Sequence, residues 1–84
     1  MNAPRVVSAE YVQGITDARA LWRIFERDGI ADLQHAREAL ANVEQCLGMG
    51  FGREVRDSLK GERDFFRQRV KLLAETRARE GVAA

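Results

Sequence analysis

Apolar residues recur at intervals of three and four along three stretches of the chain, which is the spacing of one face of an α-helix. The stretches run from about residue 9 to 28, 33 to 47 and 53 to 78. No segment of useful length alternates between apolar and polar residues, so no strand is predicted. The sequence therefore predicts an all-α fold of three helices. Short connections favour an antiparallel bundle.

The ends of the first two helices have specific signals. Ser8 and Asp32 stand directly before these helices, where their side chains can cap free backbone N–H groups. Gly29 follows the first helix at a position that favours a left-handed backbone. Phe25 and Ile30 are then the apolar pair that a Schellman ending brings together.

The length of 84 residues allows one domain, which we expect to span residues 8–79. Residues 1–7 are predicted to form a flexible arm and residues 80–84 a frayed end. When a domain of this size folds, it buries little more than about 60% of the surface that its unfolded chain exposes. One Cys allows no intrachain disulfide, and one His leaves too few ligands for a zinc site. We therefore expect dimerisation to complete the bundle.

The segment GMGFG, residues 48–52, lies between the second and third helices. It lacks the Lys-Ser or Lys-Thr pair of a phosphate-binding P-loop, and its glycine spacing differs from a dinucleotide fingerprint. It is predicted to end the second helix at Gly48 and reverse the chain, with Met49 and Phe51 turned into the core. The alternative is a hinge that lets the third helix swap onto a second copy.

The composition narrows the possible functions. A formal net charge of +1, from 14 basic and 13 acidic residues, lacks the basic excess of a typical nucleic-acid-binding protein. No apolar run could cross a membrane and no apolar leader is visible, so a cytoplasmic location is expected. Arg outnumbers Lys twelve to two, which indicates a GC-rich bacterial or prophage source.

The chemistry-bearing residues form no convergent catalytic set, so we expect neither an enzyme nor a cofactor or metal. Cys46 and His35 lie about 16 Å apart along one helix and cannot meet within one chain. Glu62 falls inside the apolar face of the third helix, with Arg69 one heptad later. This placement favours an interhelical ion pair over a catalytic acid.

Basic residues form a row along the third helix, roughly 100° from its apolar centre. This basic row consists of Arg56, Lys60, Arg63, Arg67 and Lys71. It could follow the phosphates of a nucleic acid, although no aromatic or amide side chain interleaves with it. A solvated face or the charged edge of a helix contact is the favoured interpretation.

The first helix offers more apolar surface than two short neighbours can cover. Trp22 and Phe25, with Leu21 beside them, are either core residues or interface anchors, because aromatic residues dominate interface energies. Together with Glu62 and Arg69 they form the predicted interface. The favoured function is a non-enzymatic protein-binding accessory protein, homodimeric and with a possible further protein partner. The alternative is a nucleic-acid-binding accessory protein that uses the basic row.

Overall fold

A computed structural model describes residues 7–83 as three helices: α1, Ala9–Arg27; α2, Leu33–Leu47; and α3, Arg53–Ala83. No strand occurs within these residues, and the predicted all-α class is confirmed. The predicted N-terminal arm lies outside the described residues, except for Val7. Ala84, at the opposite end, also lies outside them.

Side chains cap the N-termini of α1 and α2 as predicted. Ser8 Oγ accepts the backbone N–H of Tyr11 at 3.1 Å, and Asp32 Oδ1 accepts that of His35 at 2.9 Å. Both caps satisfy N–H groups that have no partner inside the helix. The starting points of these helices therefore follow from local hydrogen bonding.

The end of α1 is the predicted Schellman motif. Gly29 has a φ of 74°, and its N–H donates to the Glu26 carbonyl at 3.2 Å. The Ile30 N–H donates to the Phe25 carbonyl at 2.9 Å. This bonding scheme reverses the chain and satisfies two carbonyl groups of the last turn.

The C-terminal end of α3 differs from the prediction. The helix continues to Ala83 rather than ending near residue 78. A Cβ atom added at Gly81 would meet no atom within 4 Å, so this glycine is not involved in a turn or a close contact. The surrounding residues are mainly Ala, Arg and Glu, which are good helix formers, and they extend the helix through the glycine.

The long helix α3, about 46 Å from end to end, is the centre of the fold. Both α1 and α2 pack against it, whereas within the described residues no Cα atom of α1 comes within 8 Å of one of α2. Phe66 of α3 is fully buried. The buried apolar residues around it come from the other two helices and are Ala18, Trp22, Ala36 and Val43. The helices α1 and α2 thus pack mainly on α3, and they contact each other through side chains.

Two buried glycines allow α1 and α3 to approach at backbone distance. A Cβ atom added at Gly14 would lie 1.9 Å from the Ser58 carbonyl oxygen. One added at Gly61 would lie 2.1 Å from the Tyr11 carbonyl oxygen and 3.0 Å from the Ile15 nitrogen. A glycine inside a helix costs about 1 kcal/mol of stability relative to alanine. At these two positions, however, any larger side chain would prevent the contact between the helices.

The glycine run forms an intrachain turn, after which α3 folds back onto α1 and α2 of the same chain. Gly48 ends α2 as predicted but keeps a right-handed backbone, and the positive φ, 78°, belongs to Gly50. Met49 and Phe51 are exposed, so the prediction that they enter the core is wrong. The chain reverses between them, which leaves both side chains on the outside of the turn.

Candidate binding surfaces

One flank of α1 exposes large apolar side chains. Trp22 faces α3 and is only 6% exposed, whereas Leu21 and Ile24 are 39% and 43% exposed. Asp17, Leu21 and Ile24 fall within about 60° of one another around the helix axis. They therefore form a continuous strip beside the buried face.

The aromatic residues predicted as interface anchors are occupied by contacts within the chain. The rings of Trp22 and Phe25 lie 5.8 Å apart between centroids. Phe25 also contacts the His35 ring edge-on at 6.1 Å, and so links α1 to α2. Of the three apolar residues predicted for the interface, only Leu21 is thus left exposed.

Two carboxylates meet beside this strip. Burial raises the pKa of Glu62 on α3, and the nearby negative charge of Asp17 on α1 raises it further. The predicted interhelical ion pair is not formed, since Glu62 has no cationic nitrogen within 4.0 Å in the described part of the chain. The flank of α1 therefore faces a half-buried, uncompensated acid.

Arg69, one heptad after Glu62 on the same helix, packs against aromatic rings and not in an ion pair within residues 7–83. Its guanidinium carbon lies 5.8 Å from the centroid of the Trp22 ring and 5.0 Å from that of Phe65. A cation over an aromatic face is stabilised by the ring quadrupole. Arg69 thus joins α3 to α1 by a contact that the spacing of charges does not reveal.

We call the combined surface the open flank and define it by five residues. Val55 lies two turns before Glu62 on the same face of α3 and is exposed. The open flank consists of Asp17, Leu21, Ile24, Val55 and Glu62. Its apolar members, Leu21, Ile24 and Val55, are all exposed to solvent.

The basic row lies elsewhere on α3, about 130° around the helix from Val55 and Glu62. Arg56, Arg67 and Lys71 are exposed, and Lys60 is half-buried. The fifth member, Arg63, donates from Nε to Asp64 Oδ1 at 3.0 Å. Four cations of the row therefore have no carboxylate within 4.0 Å among residues 7–83.

Asp64 also joins α3 to α1. The Tyr11 hydroxyl donates to Asp64 Oδ2 at 2.6 Å, and this hydrogen bond raises the pKa of Tyr11. Burial alone would raise the pKa of Asp64, but hydrogen bonds from Tyr11 and Arg63, together with the positive charges of Arg63 and Arg67, outweigh burial and lower it. The ionised carboxylate is therefore part of the helix contact.

An exposed aromatic ring lies at the N-terminal end of the basic row. Phe51, which is 43% exposed, lines a surface depression of about 330 Å³ together with Arg53, Arg56 and Lys60. Asp57 contributes the one carboxylate of the lining. The sequence pattern predicts Phe51 in the core and so does not indicate this placement. The available signal was its position between two glycines, which provide no side chains to cover it.

A second depression, of about 460 Å³, lies where the start of α2 meets the C-terminal half of α3. Its lining includes the apolar residues Leu33 and Leu73 and the charged residues Arg77 and Glu80. Asp32, which also lines it, has its pKa lowered by the backbone N–H of His35 and then by the His35 side chain. The Asp32 carboxylate therefore caps the N-terminus of α2.

His35 lies at the N-terminal end of α2, where it contacts the capping residue. Its Nδ1 lies 2.6 Å from Asp32 Oδ1, and its ring contacts Phe25. Cys46 is a half-buried free thiol eleven positions further along α2. These contacts place the imidazole in the cap and core of the fold.

Among residues 7–83, no three His, Cys, Asp or Glu side chains gather closely enough to hold a metal ion. Within the same part of the chain, no helix combines the length and apolarity needed to cross a bilayer. Compared with known protein families, with curated proteins and with solved structures, the chain has no match.

Proposed function

We propose that this chain is a non-enzymatic, protein-binding helical protein that works as a homodimer, with the open flank as its interface. The observation behind this proposal is the exposure of Leu21 and Ile24 on the flank of α1 beside the face that packs on α3. Adjacent apolar side chains that are exposed on a bundle favour association with another protein surface.

The surface area of the chain supports a second copy as the partner. The accessible surface is 6332 Å², whereas a monomer of this mass exposes about 5000 Å². Part of the excess belongs to the last turns of α3, which project as exposed helix. The whole difference is of the same order as the roughly 800 Å² that each partner buries in a standard interface.

The small core supports the same conclusion. Two of the five buried apolar residues are alanines, and Phe66 is the largest side chain that is completely buried. A core of this size gives little stability to a single chain. Burial of Leu21, Ile24 and Val55 in a dimer would add to it at about 25 cal/mol per Å² of apolar area.

Charge restricts how two copies can meet. A symmetric interface presents the same patch on both sides, so Asp17 and Glu62 would repel their counterparts near the axis. We therefore place the two-fold axis near Ile24, away from Glu62. The single half-buried Cys46 fits a reducing compartment, and we place the dimer in the cytoplasm.

Sedimentation equilibrium or light scattering tests the proposal. The unmodified protein should have the mass of a dimer, and Leu21→Ser with Ile24→Ser should shift it to monomer. The matched control is Val12→Ser, because Val12 is 49% exposed on the opposite side of α1. The control should remain dimeric.

Circular dichroism of all three proteins should show the same helical content, which separates dissociation from unfolding. If the unmodified protein has the mass of a monomer at about 100 μM, a stable homodimer of useful affinity is excluded. Equal dissociation of the Val12→Ser control would show that the open flank is not the interface.

A further inference from the structure

We propose that the basic row of α3 and Phe51 together bind single-stranded nucleic acid. In this arrangement the phosphates follow the row and one base stacks on the Phe51 ring. The site is distinct from the proposed dimer interface, because the row lies about 130° around α3 from Val55 and Glu62. Either surface can therefore function without the other.

The cations of the row are available to an outside anion. Arg56, Lys60, Arg67 and Lys71 form no ion pair within residues 7–83. Arg63, the fifth member of the row, already donates a hydrogen bond to Asp64 and is therefore less available to a ligand. Arg56, Lys60 and Lys71, together with Arg67, whose charge also helps to lower the pKa of Asp64, produce a local positive strip in a chain whose net charge is only +1.

The length of the row suits a short piece of one strand. From Arg56 to Lys71 the helix rises about 22 Å, with successive cations about 4.5 to 6 Å apart. This length corresponds to about four to six nucleotides, which lies within the range of compact single-strand binding sites.

Phe51 distinguishes this surface from a general anion-binding strip. Its ring is exposed, and it lines the same depression as Arg53, Arg56 and Lys60. An aromatic ring beside several cations suits a base next to its phosphates. A base can stack on the ring only when it is free of the duplex, and so we propose single-stranded ligands over duplexes.

Fluorescence anisotropy with a labelled oligothymidylate of about twelve nucleotides tests this proposal, since that length exceeds the row. Titrations between about 50 and 200 mM salt should give a slope of log affinity against log salt near −3, from about four phosphate contacts. Arg56→Gln with Lys60→Gln should halve the slope. Phe51→Ala should lower the affinity about tenfold and leave the slope unchanged. Phe51→Trp should preserve the affinity, because the indole ring can also stack on a base.

The control variant replaces two exposed arginines on the outer side of α1, Arg19→Gln with Arg23→Gln. It loses the same charge as the row variant and should keep the steep slope. A duplex of the same sequence should bind more weakly than the single strand.

The proposal is overturned if no binding is seen at the lowest salt concentration, or if the control weakens binding as much as the row variant does. It is also overturned if Phe51→Ala has no effect while heparin binds as tightly as the oligonucleotide. That result would describe a surface for polyanions in general.

Discussion

Gly14 and Gly61 hold equivalent positions where α1 crosses α3. Each glycine meets the backbone of the residue three positions before the other: Gly14 meets Ser58, and Gly61 meets Tyr11. Neither position has room for a methyl group, because the opposing atoms are main-chain carbonyl oxygens that cannot rotate away. The distance between the two helices is therefore set by the absence of side chains at two points.

We expect Gly61→Ala to destabilise the fold by about 3 kcal/mol or more, although alanine is the better helix former. The added methyl group would push α1 away from α3 and loosen the packing around Phe66. The control is Gly81→Ala, since Gly81 has no atom nearby and should tolerate the change with stability unchanged or slightly higher. Urea unfolding followed by circular dichroism measures both, and equal effects would contradict the close crossing.

Tyr11→Phe should cost about 1 to 2 kcal/mol at neutral pH, because it removes a hydrogen bond to an ionised carboxylate. The pKa of Asp64 is lowered in the folded chain, so the ionised group stabilises the fold above its ordinary pKa of 3.8. This stabilisation is lost as the pH falls through that value towards the folded pKa. The difference between variant and unmodified protein should therefore shrink in acid. A double-mutant cycle with Asp64→Asn isolates the contact, and purely additive losses would rule it out.

Glu62→Gln should raise stability at neutral pH, by roughly 0.5 kcal/mol because the group is still partly exposed. The pKa of Glu62 is raised above its ordinary value of 4.5 by burial and by Asp17. As the pH rises past 4.5, the unfolded chain loses this proton first, so the stability of the fold decreases until the folded pKa is passed. Thermal unfolding across this interval should show the decrease in the unmodified protein and a smaller one in the variant. A less stable Glu62→Gln variant at neutral pH would mean that the acid has a favourable partner.

Trp22→Ala should destabilise the chain by about 3 to 5 kcal/mol, enough to unfold a domain of this size. The substitution leaves a cavity and removes the ring that Arg69 covers. Leu21→Ala, one position earlier, should cost less than about 1 kcal/mol in the monomer, since Leu21 is exposed. Chemical unfolding at low protein concentration compares the two without the contribution of a dimer. Comparable losses would place Leu21 in the core as well.

Burial was the property that the helical pattern predicted least well. The spacing of apolar residues places both Trp22 and Val55 on inward faces, yet Trp22 is buried and Val55 is exposed. Periodicity defines the side of a helix that faces its neighbours. It does not define how far those neighbours extend or whether they close over that side.

Contacts between distant residues were likewise hidden from the sequence. The placement of Glu62 and Arg69 on an apolar face favours ion pairs with another helix, whereas Arg69 lies on two rings and Glu62 faces Asp17. Partners on another helix depend on the angle at which the helices cross. In this fold the angle follows from a backbone contact at two glycines whose role no local pattern indicates.

The sequence by itself determined the class of fold, the number of helices and the positions at which α1 and α2 begin. It also determined how α1 ends, because caps and the Schellman turn are hydrogen bonds between residues a few positions apart. Only the tertiary structure decided that α1 and α3 meet at their backbones, that Leu21 stays exposed, and that Phe51 lies next to the basic row. These relationships join residues far apart in the chain, and they depend on packing, which no short stretch of sequence encodes.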